Sequence, residues 1–358
     1  MKENRLSLKE FYKGKKVLVT GHTGFKGSWM CRTLILLGAD VTGYSLKPPT
    51  DPALFDMADI KDHINSITGD IRDLDALKKA FDTAKPEIVI HMAAQPIVRT
   101  SYKEPVMTYE TNVMGTVNVL ECVRLTDSVK SFVNVTTDKV YKNNEWEWGY
   151  RETDELCGFD PYSNSKSCSE LVTDSYRNSF FGPGQRKCAI STMRAGNVIG
   201  GGDFALDHII PDCVRAVLSG KEIIVRNPDS IRPYQFVMEP VYAYLLLAAR
   251  QYDDISLAGS YNIGPDEGDI LTTGDITDIF CNKWNMSHSG ASWKNVSDMG
   301  PHEAGFLKLD TSKIKTRLGW KSKTGISDAI DMIIEWVDVW NKGEDIPLCM
   351  NRQIEEFL

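Results

Sequence analysis

Three residue groups in this sequence of 358 residues have side chains and spacings suited to chemistry. The first is Asp160-Pro161-Tyr162-Ser163-Asn164-Ser165-Lys166. Asp160 fits a helix N-cap and Pro161 the first helical position. Tyr162 and Lys166 are then i and i+4, on one helix face. An ammonium near a phenol lowers its pKa and lets it serve as a base near neutral pH. Alone, the pattern also describes a surface Tyr–Lys pair. The second group, Val135-Thr136-Thr137-Asp138-Lys139-Val140-Tyr141, ends a run that reads as a strand, and it brings a hydroxyl and a carboxyl near the tyrosine. Its plain alternative is a hydrophilic strand end.

The third group is Thr20-Gly21-His22-Thr23-Gly24-Phe25-Lys26-Gly27, with glycines at i, i+3 and i+6. One glycine permits a tight turn, one lets backbone approach a pyrophosphate, and one lets a helix pack close to a sheet. The following helix N-terminus offers N–H groups to phosphates. A ligand-free strand-to-helix turn is the alternative. An acidic residue for a ribose is expected about 20 residues on, but Ser45-Leu46-Lys47 stands there and Asp40 comes too early. Asp70, after the third strand, is a candidate to read an adenine amino group or a simple turn aspartate. His22 and Lys26 either offset ligand charge or are solvated.

These groups need a scaffold, and the flanking pattern supplies one. Strand-like runs at Lys16–Thr20, Val41–Leu46, Ile64–Asp70, Glu87–Ala94, Ser131–Asp138 and Cys188–Arg194 alternate with helical runs at Ser28–Leu37, Leu74–Thr83, Pro105–Arg124 and Tyr162–Phe181. That alternation predicts an α/β fold with a doubly wound parallel sheet and ligands at the strand C-termini. The second half loses the rhythm. It reads as helices at Asp207–Ser219, Glu239–Tyr252, Thr273–Trp284 and Ile326–Trp340, with strands at Glu222–Arg226 and Ser260–Gly264. The expected division is a cofactor domain of residues 1–193 plus returning segments near 236–264. A smaller interleaved domain of 194–235 and 265–358 would bind the substrate.

Composition narrows the function classes. There are 41 Lys+Arg against 49 Asp+Glu, a formal net charge of −8, which argues against a nucleic-acid partner. No run approaches the ~20 apolar residues of a membrane span; Val241–Ala249 is the longest candidate. The N-terminus lacks the apolar stretch of a secretory leader. Eight scattered cysteines without a CxxC pattern read as reduced thiols in a cytoplasmic protein. The six dispersed histidines predict no metal site.

Taken together, the motifs resemble the extended short-chain dehydrogenase/reductase family, and within it the CDP-glucose 4,6-dehydratase branch. The resemblance runs through TGHTGFKGSW (20–29), HMAAQPIVRTSY (91–102), TNVMGT (111–116), TTDKVY (136–141), NEWEWGYRE (144–152), residues 160–166, RAGNVIGGGD (194–203), Arg226-Asn227-Pro228 and Ile231-Arg232-Pro233-Tyr234-Gln235. Related dTDP-glucose dehydratases carry Glu where Lys139 stands.

The resemblance implies a Rossmann-type fold, NAD as cofactor and CDP-glucose as substrate. It implies a cofactor site of Gly21, Thr23, Gly24, Phe25, Gly27, Asp70, Ile71, Ala93, Ala94, Gln95, Asn112, Tyr162 and Lys166. Tyr162 would take the C4 hydroxyl proton, Lys166 would tune it, and Thr137 would hydrogen-bond the C4 oxygen. Asp138 would protonate the departing C6 hydroxyl, and Lys139 would either remove the C5 proton or bias Asp138. Arg99, Arg194, Asn197, Arg226 and Arg232 are candidates for the substrate diphosphate. Trp146 and Trp148 either stack on the base or sugar or pack locally. The family's pairing of helices across a two-fold axis implies a homodimer or a tetramer. A 4-epimerase or reductase on the same scaffold and a non-enzymatic NAD(P)-binding regulator are the alternatives.

Overall fold

The computed structural model describes residues 7–182, 184–296 and 305–358. Its central sheet has seven strands: β1 (Lys16–Thr20), β2 (Asp40–Ser45), β3 (Asn65–Thr68), β4 (Ile88–His91), β5 (Ser131–Thr137), β6 (Ala189–Ala195) and β7 (Ser260–Ile263). Their order is β7-β6-β5-β4-β1-β2-β3, and every pairing is parallel. This is the expected doubly wound α/β fold. The chain runs outward from β1 to β3, then restarts at β4 on the other side of β1. That reversal opens the crevice at the strand C-termini where such folds hold ligands. The register sets Thr20 opposite both Tyr44 and His91, and Thr137 opposite Ala195.

β4, β5 and β6 are buried along their whole length, because helices cover both sheet faces. Helices α1 (Phe25–Leu36) and α4 (Met238–Asp253) contribute Trp29, Leu34, Tyr244 and Leu247 to one core. Helix α2 (Gly115–Leu125) contributes Val119 and Leu120 to the core on the other face, with Leu77 and Phe81. Fully burying a Leu or Phe side chain contributes about 1.5–3 kcal/mol. Helix α3 (Pro161–Phe180) starts as expected: Asp160 caps it by accepting from Ser163 N, and Pro161 is in the first turn.

The single helix expected over Pro105–Arg124 is interrupted. Pro105–Tyr109 leads into a π-helical turn, Glu110–Met114, before α2. There Asn112 exchanges two hydrogen bonds with the Gln95 backbone, at 2.8 and 3.0 Å. Wider turns of this kind occur mostly as single-turn bulges at functional sites.

The second half builds two-stranded ribbons, among them Gln235–Phe236 with Val198–Ile199 and Leu271–Thr272 with Ile231–Arg232. The C-terminal helix Ile346–Phe357, not foreseen from the sequence, returns to α1, where Arg32 Nε donates to Asn351 Oδ1 at 2.7 Å.

Candidate active site

The glycine turn sits at the strand-order reversal. Gly21 has φ +77°, and a Cβ on it would lie 2.7 Å from Ala93 N. A Cβ on Gly27 would strike Gly21 O and lie 2.8 Å from His22 Cα. Gly24 is different, since its Cβ would meet only Gly21 O, at 3.5 Å. Gly24 also begins α1 with no side-chain cap, so among the described residues no side chain caps the helix's leading N–H groups. Two glycines are thus required by the fold, and the third leaves space that no described residue fills.

Neighbouring residues brace the turn. Thr20 Oγ1 accepts from Met92 N and Ala93 N, both at 3.1 Å, and bonds His91 Nδ1 at 2.7 Å. Thr23 Oγ1 donates to Leu46 O at 2.9 Å and lies 2.9 Å from Ser45 Oγ. Ser45, where a ribose-binding acid was sought, therefore holds the turn. His22 neither offsets charge nor is solvated. It is buried against Phe55, with Nε2 2.8 Å from Ser66 Oγ, and burial lowers its pKa to about 4. Asp70 accepts from the Arg72 backbone at 2.9 Å and from its guanidinium at 2.7 Å, which hold its carboxyl below the usual range. Ile71 packs against Gly115. Gln95 bonds its own loop and Thr108, so Gln95 and Asn112 shape the wall beside Ala94 rather than extend from it.

The register brings β5 and the first turn of α3 together. Thr137 Oγ1 donates to Asp138 Oδ1 at 2.9 Å. Lys139 Nζ donates to Asp138 Oδ1 and Asn197 Oδ1, both at 3.2 Å. Asp138 is 0% exposed, and its Oδ2 has no hydrogen-bond partner among the described residues. Burial raises the Tyr162 phenol well above its usual value, and a hydrogen bond with Thr137 opposes this. Lys166 Nζ donates to Val135 O at 3.2 Å. Burial, then the Lys26 charge, lower Lys166 to about 7, while Glu170 acts the other way. The expectation that Lys166 lowers the phenol pKa is not met in this state, because burial outweighs every other influence on Tyr162.

A cleft of about 1060 Å³ opens above these groups. Thr137, Lys139 and Tyr162 line it, with Phe25, Lys26, Arg99, Asn197, Arg226 and Arg232. Asp138 lies beneath the wall. Arg226 pairs with Asp207 at 2.7 Å, and Arg99 approaches the same carboxylate at 3.9 Å. Arg194 does not belong with the substrate residues. It is buried against Glu170 and Tyr141, outside the cleft lining.

The model of the GDP-mannose 4,6-dehydratase family matches residues 18–333. The chain belongs to this family. It is 46% identical to the CDP-glucose 4,6-dehydratase of Salmonella typhimurium over 98% of each chain. It is 28% identical to the dTDP-glucose 4,6-dehydratase of Shigella flexneri, over 90% of this chain and 92% of that one. Among solved structures, DesIV, a dTDP-glucose 4,6-dehydratase from Streptomyces venezuelae with NAD and TYD bound, superposes with a TM-score of 0.77. That match covers 92% of this chain and 98% of DesIV at 24% identity, and it demonstrates the shared fold.

In this 4,6-dehydratase-family chain, sequence reasoning missed several groups at the site. His208 lines the cleft with its Nδ1 2.8 Å from Asp203 Oδ2; burial pushes its pKa down, but the Asp203 carboxylate, with Asp212, outweighs burial and leaves it raised. Lys26 is lowered to about 8 by burial, against the pull of Asp138 and Asp203. Its place in the glycine turn was visible, but its nearness to the Asp138 carboxylate was not. Trp146 stacks on Tyr150 and meets Trp148 edge-on. Neither tryptophan lines the cleft, so this aromatic cluster is local packing.

Proposed function

We propose that the protein is an NAD-dependent hydro-lyase that converts CDP-glucose to CDP-4-keto-6-deoxy-glucose for deoxysugar synthesis. What carries the reading is one cleft wall made of Thr137, Lys139 and Tyr162, with Asp138 bonded behind it, beside a glycine turn at the strand-order reversal. The 46% identity to the Salmonella typhimurium CDP-glucose 4,6-dehydratase supports the choice of nucleotide. An epimerase has no departing hydroxyl and no use for the Asp138–Lys139 pair.

The open side of Gly24 and the uncapped start of α1 suit a pyrophosphate. In this reading Gly21, Thr23, Gly24, Phe25 and Gly27 hold the pyrophosphate side of NAD. Asp70, Ile71, Ala93, Ala94, Gln95 and Asn112 shape the rest of its groove. Bound NAD would supply the hydride acceptor for C4 and the hydride donor for C6. Tyr162 takes the C4 hydroxyl proton, Thr137 bonds the C4 oxygen, and Lys166 stabilises the phenolate. The C4 ketone acidifies the C5 proton. Lys139 faces the cleft and Asp138 does not, so the two act as one unit that passes a proton from C5 toward the departing C6 oxygen. Arg99, Asn197, Arg226 and Arg232 take the diphosphate.

The test is incubation with NAD and CDP-, dTDP-, UDP- and GDP-hexoses, followed by mass spectrometry for loss of one water. CDP-glucose should lose water, and deuterium at C4 should reappear at C6. No loss with any sugar, or label washing into solvent, overturns the reading. We also place residues 1–193 and 236–264 in a cofactor domain, with 194–235 and 265–358 in a substrate domain. Val106 and Met114, before α2, and Leu171, on α3, are exposed, which favours a homodimer through these helices. A monomer mass by light scattering at micromolar concentration would contradict this. All eight cysteines are free, and no described helix is long and apolar enough to cross a membrane. The free thiols fit a cytoplasmic location.

A further inference from the structure

Glu170 lies on α3 one turn after Lys166 and is 2% exposed. Its carboxylate accepts three hydrogen bonds. Thr136 Oγ1 donates to Oε1, while Thr192 Oγ1 at 2.6 Å and Arg194 Nη2 at 2.8 Å donate to Oε2. Thr136 is on β5, and Thr192 and Arg194 are on β6. Arg194 Nη1 extends the network to the Tyr141 hydroxyl at 2.7 Å, which donates to Asn262 Oδ1 on β7 at 2.7 Å. One carboxylate thus ties the helix bearing Tyr162 and Lys166 to the strands beside it.

Stability alone is a poor reason for such a pair. Desolvating two charges offsets most of their attraction, and apolar replacements are often neutral or stabilising. The pair's neighbours suggest another reason. Three consecutive β5 residues bond α3: Asn134 Nδ2 donates to Ser169 and Thr173, Val135 O accepts from Lys166, and Thr136 donates to Glu170. The next two residues are Thr137 and Asp138.

We propose that Glu170, held by Arg194, is a positioning residue for the reaction: it fixes the register of α3 against Thr137 and sets a carboxylate one turn from the Lys166 ammonium. The proposal deepens the reading of the site given above and rests on it. The other titratable groups around Lys166 are Lys26 from α1, His91 from β4 and Tyr162 on its own helix. Burial lowers His91 to about 3, so that ring carries no charge at neutral pH, and burial raises the Tyr162 phenol. Lys26 opposes the Lys166 charge, and Glu170 supports it.

Glu170→Gln keeps the shape and removes the charge. Its kcat should fall about 10- to 100-fold, with KM for CDP-glucose within about twofold. The alkaline limb of the kcat–pH profile should move down by about one unit, because Lys166 loses its supporting anion. The double variant Glu170→Leu/Arg194→Met removes both buried charges. It should melt close to the wild type yet remain slow with the same shifted limb, and it keeps the test open if the single variant does not fold. Activity returning with the melting temperature would reduce the pair to a structural role and overturn the proposal, as would an unshifted profile. Wild-type inactivity on every sugar would count against the proposed function instead. In that case the titration of Lys166, followed by NMR of 13C-labelled lysine and assigned with Lys166→Arg, still decides. A downward shift in Glu170→Gln supports the positioning role, and no shift overturns it.

Discussion

Substituting the three turn glycines one at a time separates cofactor contact from folding. Gly24 has φ −79° and ψ 172°, a region open to any residue, and its added Cβ meets one atom at ordinary contact distance. Gly24→Ala gains about 0.4–1 kcal/mol by restricting the unfolded chain. It loses a similar amount because alanine is a poorer N-cap than glycine. The two offset, so the melting temperature should stay within about 2 °C of the wild type. Gly27→Ala instead drives a methyl into the backbone of the turn, 2.8 Å from His22 Cα and 2.9 Å from Gly21 C. Main-chain atoms cannot rotate aside, and overpacking of this kind costs about 1–3 kcal/mol. Gly21→Ala adds a left-handed φ, worth about 1–2 kcal/mol, to its contact with Ala93 N.

Thermal unfolding without cofactor and calorimetric titration with NAD form the assay. Gly24→Ala should melt normally and bind NAD at least about tenfold more weakly, a change of about 1.4 kcal/mol. Gly27→Ala and Gly21→Ala should lose stability before any cofactor is added. If Gly24→Ala binds NAD like the wild type, or loses as much stability as Gly27→Ala, the division of roles among the glycines is wrong.

Asp138→Asn should still oxidise C4 but stall before water leaves, so NADH fluorescence should accumulate with CDP-glucose; turnover at the wild-type rate would remove Asp138 from the elimination. Arg226→Gln should raise KM with kcat nearly unchanged, and Asp207→Asn should lower KM by removing the carboxylate that competes for Arg226; equal KM values in all three proteins would place the diphosphate elsewhere. His22 and His91 have folded pKa values of about 4 and about 3, below the unfolded value of about 6.5. The unfolded chain therefore binds more protons below pH ~6.5, so their contribution is complete above that pH and falls by about 1.4 kcal/mol per unit per histidine toward pH ~4. Urea midpoints measured near pH 7.5 and 5 should differ accordingly, and equal midpoints would rule out neutral burial of the two rings.

What the sequence disclosed depended on the range of the interaction. The glycine turn, the Asp160 cap and the i, i+4 pair of Tyr162 and Lys166 are local, and local spacing reveals them. The parallel sheet follows from the alternation of runs, and Ser260–Gly264 reads as a strand from its own pattern, which the structure pairs with β6. The interruption at Glu110–Met114 was hidden because Asn112, within it, bonds the backbone of Gln95, from a separate segment. Arg194 failed as a substrate residue for a similar reason. An arginine at the end of a central strand can face the cleft or the helix layer, and only the position of Glu170 decides. The sequence left His22 either offsetting ligand charge or solvated, yet Gly43 of β2 and Ser66 of β3 enclose it. In each case the decisive partner lies far away in sequence.

Charge at the site follows the same logic. On a net charge of −8 alone, the cleft would have to isolate bare cations from an acidic protein. Instead, cations at the cleft already face carboxylates: Lys139 meets Asp138, Arg226 meets Asp207, and Arg99 approaches Asp207. Asp207 holds that place with φ +62°, a conformation that non-glycine residues seldom adopt. In the proposed function, a diphosphate arriving there would replace a carboxylate instead of neutralising an unsatisfied charge. Much of the Coulomb attraction is therefore already present before binding, and the gain on binding is a difference between two paired states. Such an exchange favours ligands whose two charged groups match the spacing of the arginines over any anion of similar charge. The wall pair works on the same principle. Lys139 Nζ already donates to Asp138, so in the proposed reaction the cost of bringing this buried pair together would be met during folding and not during turnover.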